Sequence, residues 1–255
     1  LLKNNLVMQN YSKVDYIFHL AAIAPAVSDN VDVSKIIEDN IIITKKVLEF
    51  AGATKAKIIL ASTSHVYPPR GNPAGWKESA VEWGNAVSAY GLSKQKVEQY
   101  CARYAQKNNL GLAIVRLANV YGPGDKSNRF IPTFIRKCLA RKLPLEVLGE
   151  SGVERDFIYV DDVITGLTEA VIMIGYKQVI NIGSGAKSTV GEVAEIIKNQ
   201  TGLGAEKINF LTAEGSSVAS NILDISQAKK ALGYRPEVNL SEGLAKPIEW
   251  WKNLT

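Results

Sequence analysis

VDYIFHL at residues 14–20, KIILA at 57–61 and LAIVR at 112–116 are apolar, rich in branched side chains and too short for helices. Small or polar residues bound each run, which is the pattern of a strand buried on both faces of a parallel sheet. Between them, residues 34–51 place Ile36, Ile37, Ile41, Val47 and Leu48 at helical spacing and stop before Gly52. Residues 88–108 predict a second helix. Strands alternating with helices of this length form right-handed parallel crossovers, so the expectation is an α/β fold with a doubly wound parallel sheet.

After Gly122-Pro123-Gly124 the pattern loosens. A helix is predicted over 131–141, a strand over 145–148, and a strand over 157–160 that runs into a helix from Asp161. Residues 179–182 read as a strand returning to the main sheet, 190–200 as a helix, and 244–251 as a short amphipathic helix. This predicts a sheet domain over 1–122, rejoined by 157–183, and a smaller mixed α/β domain made from 123–156 and 184–255.

The chain has 255 residues, 46% hydrophobic and 22% charged, a balance that excludes disordered, collagen-like and disulfide-scaffold proteins. No apolar run reaches the roughly 18 residues of a membrane span, and no secretory signal opens the sequence. The expectations are no membrane partner and a cytoplasmic location. Two cysteines, Cys101 and Cys138, are too few and too far apart for a disulfide framework or a zinc site, and they read as free core thiols with no metal. The net charge is +5, and its densest stretch is Arg129, Arg136, Lys137, Arg141 and Lys142. Without aromatic or glycine interleaving this reads as a solvated helix face rather than a nucleic-acid surface, with Arg129 free to face an anionic small molecule.

Ligands of open parallel sheets lie at the carboxyl ends of the strands. Here the first strand ends in His19-Leu20-Ala21-Ala22, the second in Ser62-Thr63-Ser64-His65, and the third leads to Asn119-Val-Tyr-Gly-Pro-Gly. Small residues let a flat cofactor approach the backbone. Tyr90 and Lys94 are four apart and share one helix face. A free phenol, with a pKa near 10, is a poor base at neutral pH, whereas an adjacent ammonium and a first-turn position both favour the phenolate. With a hydroxyl from Thr63 to hold a substrate oxygen, this is a site for taking a proton from an alcohol, a step that needs a hydride acceptor.

HLAA at 19–22, Asn40, STSHVYP at 62–68, YGLSK at 90–94, RLANVYGPG at 116–124, RDFIYVDDV at 155–163, NIGSG at 181–185 and LDISQAKKALGYRP at 223–236 occur in one order across nearly the whole chain. In that order they resemble the extended short-chain dehydrogenase/reductases, in particular the nucleotide-sugar epimerase/dehydratase group, whose fold is Rossmann-like. The resemblance implies that Tyr90 is the catalytic base, Lys94 its partner and a ligand of the nicotinamide ribose, and Thr63 the hydroxyl that bonds the sugar. It implies NAD as cofactor, touched by Leu20, Ala21, Ala22, Asn40, Ser62 and Leu117 as well as by Tyr90 and Lys94. The first domain would bind NAD and the second a nucleotide sugar, through Ser64, His65, Asn119, Arg129, Phe130 and Arg155. It also implies a homodimer formed through the helix bearing Tyr90. Alternatives stay open at three positions: Asn40 as a helix pin, Arg155 as the ion-pair partner of Asp156 or Asp161, and His65 as acid, base or packed residue.

Departures from the family pattern narrow the chemistry. Ser64 and His65 stand where dehydratases carry an Asp and a Glu, and decarboxylating members usually have a Glu at position 65. No basic residue occurs over 211–223, where many epimerases hold the diphosphate with an arginine, and Glu214 sits near that place. The family's glycine-rich turn is absent from the sequence, and the first strand resembles the family's fourth. The expectation is therefore a fold incomplete at its amino end by about 60 residues, two βαβ-type units of about 30 each. The function this implies is NAD-dependent epimerisation at C4 of a nucleotide sugar. An NAD(P)H-dependent 4-keto-sugar reductase and a non-catalytic sugar-nucleotide-binding fragment are the alternatives.

Overall fold

A computed structural model describes residues 13–25, 32–175, 178–211 and 220–254. In chain order the elements begin with β1 (Tyr16–His19), α1 (Val33–Thr54), β2 (Lys57–Thr63), α2 (Ala89–Asn108), β3 (Leu112–Leu117) and β4 (Asn119–Tyr121). They continue with α3 (Phe130–Leu139), β5 (Leu145–Leu148), β6 (Glu154–Arg155), β7 (Phe157–Tyr159), α4 (Val160–Glu169) and β8 (Gln178–Ile182). The last are β9 (Ser188–Thr189), α5 (Val190–Gln200), β10 (Ile208–Leu211), α6 (Ser226–Leu232) and α7 (Leu240–Lys252).

Among the described residues the main sheet runs β1-β2-β3-β8, every pair parallel. Alternation along β2 explains its two-sided burial. Ile58 and Leu60 join Leu48, Val97, Cys101, Leu112 and Ile114 under α1 and α2. Ile59 faces the other way, toward Val115, Ile180, Val163, Leu167 and the carboxyl-terminal Leu223, Ile225 and Tyr234. The sheet is therefore covered on both sides, as its apolar runs require. β8 reaches it after a 60-residue excursion and pairs Asn181 with Arg116.

A second core gathers Phe134, Ile135, Leu145, Val147, Val193, Ile197, Leu244 and Ile248 from α3, β5, α5 and α7. Three two-stranded sheets, β4-β7, β5-β10 and β6-β9, complete this half. Cys101 and Cys138 are both buried free thiols.

Several boundaries differ from the sequence expectation. α1 passes through Gly52 and stops only at Lys55, which takes a left-handed conformation with φ 59°. Gly52 serves packing instead: a Cβ there would lie 2.8 Å from the Tyr104 hydroxyl of α2. α3 ends at Leu139, and Arg141 follows with φ 48°. α7 starts at Leu240 because Asn239 caps it, accepting from the Glu242 N–H at 3.0 Å. β10 and α6 were not expected at all; β10 gains its partner only by pairing with β5, 63 residues upstream. Glu214 lies outside the described residues. No helix among the described residues is long and apolar enough to cross a membrane.

Candidate active site

The carboxyl ends of β2 and β3 lie side by side, with Thr63 opposite Leu117. The chain leaves β2 through a single 3-10 turn, Ser64–Val66, capped by Thr63 Oγ1, which accepts from the His65 N–H at 3.2 Å. This turn is clamped onto the start of α2. The Val87 N–H donates to the His65 and Tyr67 carbonyls, both at 3.1 Å, and Gln95 Nε2 donates to the Val66 carbonyl at 2.7 Å. Gly91 permits the approach, because a Cβ at that position would overlap the His65 carbonyl. The glycine of YGLSK is thus a steric requirement that brings Thr63 toward Tyr90 and Lys94.

Tyr90 sits in the first turn of α2, whose cap Ser88 accepts from the Gly91 N–H at 3.1 Å. His65 packs edge-on to the Tyr90 ring, centroids 6.3 Å apart, and its Nδ1 lies 3.0 Å from Ser88 Oγ. Lys94 is almost fully buried beneath them. Burial raises the Tyr90 phenol above its ordinary value, and the Arg129 guanidinium opposes that rise. The sequence reading gave the opposing role to Lys94; Arg129 is a second cation acting on the phenol. Lys94 is itself pushed down to about 8 by burial, with neighbouring Cys101 and Glu98 working in the opposite direction.

The two histidines are neutral. Burial, then Arg155 and Arg129, depress His65 to about 4. Burial, then Lys94, depress His19 to about 4. The His19 tautomer follows from its partner. Thr44 Oγ1 donates to the Asn40 carbonyl at 2.7 Å, so it accepts from His19 Nε2, 3.0 Å away. His19 Nδ1 is left as a buried acceptor with no partner among the described residues.

These shifts predict a pH dependence of stability. Above pH 6.5 both histidines are neutral folded or unfolded; between 6.5 and about 4 only the unfolded chain takes the protons. Stability is therefore expected to fall as pH drops through that window. Asp156, raised by burial to about 6 against hydrogen bonds from Ser184, contributes in the opposite sense. Urea midpoints of the wild type and His65→Gln, compared across the window, isolate the imidazole. An equal slope in both would refute the assignment.

The other sequence candidates divide by geometry. Leu20, Ala21 and Ala22 follow β1 along the same sheet edge. Asn40 pins that segment: the Ile23 N–H donates to its Oδ1 at 2.7 Å, and its Nδ2 donates to the Ile23 carbonyl at 3.1 Å and to Ser93 Oγ at 3.0 Å. Ser93 Oγ in turn donates to the Tyr90 carbonyl at 2.8 Å, so Asn40 joins the HLAA segment to the tyrosine's own turn. Ser62 points away from the edge and donates to Glu98. Asn119 Nδ2 donates to the Asp156 carbonyl at 3.0 Å.

Arg129 pairs with Asp125 at 3.1 Å on the surface, and Phe130 stacks on Phe134. Arg155 donates to the Glu154 carbonyl at 2.9 Å, while Asp156 accepts from Ser184 and Asp161 faces Lys246 at 3.6 Å. The structure thus gathers Thr63, Ser64, His65, Tyr90 and Lys94 at one place, with Arg129 and Arg155 acting on it through charge. Sequence reading missed Asn221, whose Nδ2 donates to the Ser64 carbonyl at 3.1 Å from 157 residues away. It also missed Glu98. The signal for that residue was present: an arginine inside the apolar run LAIVR needs a buried anion.

The comparisons with known proteins agree with this fold. Residues 2–183 match the NAD dependent epimerase/dehydratase family. UDP-glucuronic acid decarboxylase 1 of Xenopus tropicalis is 30% identical over 259 residues, covering 99% of this chain and 60% of the frog protein. UDP-glucuronate 4-epimerase of Thermodesulfobacterium geofontis is 29% identical over 248 residues, covering 96% of this chain and 75% of that protein. The chain thus spans about three-fifths of one curated relative and three-quarters of the other. The crystal structure of UDP-glucuronic acid 4-epimerase from Bacillus cereus, in complex with UDP-glucuronic acid and NAD, matches with a TM-score of 0.86 at 30% identity. That match covers 100% of this chain and 80% of the bacterial one. With its parallel sheet and the Thr63, Tyr90 and Lys94 cluster at the sheet's carboxyl edge, the chain belongs to the NAD dependent epimerase/dehydratase family.

Proposed function

We propose that the protein interconverts a UDP-sugar and its C4 epimer with NAD, through a transient 4-keto sugar. The observation that carries this reading is the convergence of Thr63, Tyr90 and Lys94 beside a neutral His65, with no carboxylate at positions 64 or 65. Elimination of a sugar hydroxyl would call on an acid pair there. Oxidation and reduction at one carbon need only a proton shuttle and a hydride carrier.

The residues present fit the nicotinamide end of a dinucleotide. Lys94 is a buried ammonium at the strand ends, His19 Nδ1 is a buried acceptor without a partner among the described residues, and Ala21, Ala22 and Leu117 leave the edge open to a flat ring. The pyrophosphate-binding glycine turn is not in this sequence. Bound NAD would supply the hydride acceptor and donor at C4.

The chain's own residues do the rest. Thr63 holds the C4 oxygen, and Tyr90 takes its proton. At rest burial keeps the phenol protonated and Arg129 opposes it; Lys94, one helical turn further along α2, is the second cation that lowers the cost of the phenolate. Tyr90 returns the proton once the 4-keto sugar has turned its other face. Arg155 and Arg129 hold the diphosphate, with Asn119, Phe130, Ser64 and His65 lining the sugar and nucleotide. Leu20 and Ser62 contribute backbone to the cofactor edge, and Asn40 keeps that edge in place. In this division residues 1–122 with 157–183 carry the cofactor, and 123–156 with 184–255 carry the substrate.

The decarboxylase relatives favour a second reading, in which the same C4 oxidation of a UDP-uronic acid is followed by loss of CO2. One experiment separates the two. Full-length protein with NAD is incubated with UDP-glucuronate or UDP-glucose, and the products are read by proton NMR. The expected result is the C4 epimer with no net NADH formed or consumed. A UDP-pentose would favour the decarboxylase. Stoichiometric loss of added NAD(P)H with a 4-keto sugar would identify a reductase, and no conversion of any UDP-sugar would refute the enzyme assignment.

A further inference from the structure

Glu98 and Arg116 form an ion pair in the interior, with their side chains 1% and 3% exposed. The pair is bidentate: Arg116 donates from Nε to Glu98 Oε1 at 3.0 Å and from Nη2 to Oε2 at 2.7 Å. Ser62 adds its hydroxyl to Oε1 at 2.5 Å. Ser62 and Arg116 are register partners on β2 and β3, and Ser62 directly precedes Thr63. Arg116 Nη1 continues to the Tyr67 hydroxyl at 3.1 Å and the Glu78 carbonyl at 2.7 Å. Tyr67 donates to Asn181 Oδ1 at 2.6 Å, and Asn181 Nδ2 donates to the Trp76 and Asp224 carbonyls. A fold in need of stability alone would fill this space with apolar side chains at no loss.

We propose that Glu98 is a positioning residue of the reaction: buried one helical turn beyond Lys94, its carboxylate ties the strand bearing Thr63 to the helix bearing Tyr90 and supplies the negative charge that keeps Lys94 an ammonium. The proposal rests on the catalytic roles of Thr63, Tyr90 and Lys94 in the proposed function. Among the described residues, the titratable groups beside Lys94 on α2 are Tyr90, whose phenol burial keeps protonated, Glu98 and Cys101; His19 lies on β1, and Arg116 on β3 is committed to Glu98. Burial pushes the Cys101 thiol to about 12, so it carries no charge at neutral pH, and His19 is neutral. Glu98 is therefore the anion in that group that acts on Lys94. Without it, burial alone would drive the amine toward its neutral form, and the phenolate of Tyr90 would lose its nearest support on α2.

The test reads Lys94 directly. Protein enriched with carbon-13 at the lysine ε-carbon is titrated without ligand, the Lys94 signal being identified by its loss in Lys94→Arg. Glu98→Gln is expected to move the Lys94 midpoint down by roughly one pH unit, and Glu98→Asp to restore most of it. Glu98→Gln leaves Arg116 without its anion; where that single variant fails to fold, Glu98→Gln is compared in the Arg116→Met background, so that Arg116→Met and Glu98→Gln/Arg116→Met differ only by the Glu98 charge and the same downward shift is expected between them. A midpoint that does not move between Arg116→Met and the double variant would overturn the proposal.

A kinetic measurement then links the residue to the reaction. In full-length enzyme with NAD, the alkaline limb of kcat is expected to move with the Lys94 midpoint while KM changes little. A uniform fall in kcat with no movement of the limb would mark Glu98 as merely structural and overturn its positioning role. A moved midpoint in Lys94→Arg-referenced spectra, together with full activity of Lys94→Ala, would support the electrostatic coupling and instead refute the catalytic reading of Lys94.

Discussion

Tyr90→Phe is expected to lower kcat about a thousandfold and to leave the Kd for the UDP-sugar within about threefold of wild type. The phenol ring packs edge-on against His65 and stays in place when only its oxygen is removed, so the sugar pocket keeps its shape. What disappears is the phenol oxygen at the strand ends, on which Arg129 acts by charge and which shares its helix face with Lys94. Steady-state kinetics with a UDP-sugar, paired with calorimetric titration of the same ligand, separates the two effects. A variant with wild-type kcat would remove Tyr90 from the chemistry. A loss confined to KM would make it a binding residue.

Arg116→Met is expected to destabilise the protein by about 3–5 kcal/mol, more than the loss of one neutral hydrogen bond would cost. Methionine matches the length of the stem, so little volume is lost. The cost arises because Glu98 is left as a charge 1% exposed with only the Ser62 hydroxyl to satisfy it. The Tyr67 hydroxyl also loses a donor, and the Glu78 carbonyl another. Adding Glu98→Gln to Arg116→Met is expected to recover most of the loss, because the uncompensated charge goes with it. Urea unfolding of the four proteins of this cycle gives the coupling directly. Additive effects of the two substitutions would show that the pair does not act as a unit.

The buried pair also shows where the sequence was legible and where it was not. VDYIFHL, KIILA and LAIVR could be read as parallel strands because burial on both faces leaves an unbroken apolar run, and the Tyr90–Lys94 spacing could be read because a helix repeats every 3.6 residues. Arg116 broke such a run and so announced a buried anion, yet nothing in the local sequence pointed to Glu98 on α2. Gly52 misled for a related reason. A glycine at the end of a periodic stretch reads as a helix stop, whereas this one makes room for the Tyr104 hydroxyl of the neighbouring helix.

Local pattern therefore determined the α/β class, the direction of the strands and the identity of the tyrosine, lysine and threonine that meet at the strand ends. Those properties depend on backbone period and on side-chain chemistry, both carried within a few residues. Tertiary structure decided the rest. It brought a second cation, Arg129, to act on Tyr90, made His65 and His19 neutral through burial, turned Asn40 into a pin between two segments, and gave Ser64 its partner in Asn221. Charge state and hydrogen-bond partnership depend on what surrounds a group in space, and here those surroundings come from residues as many as 157 positions away.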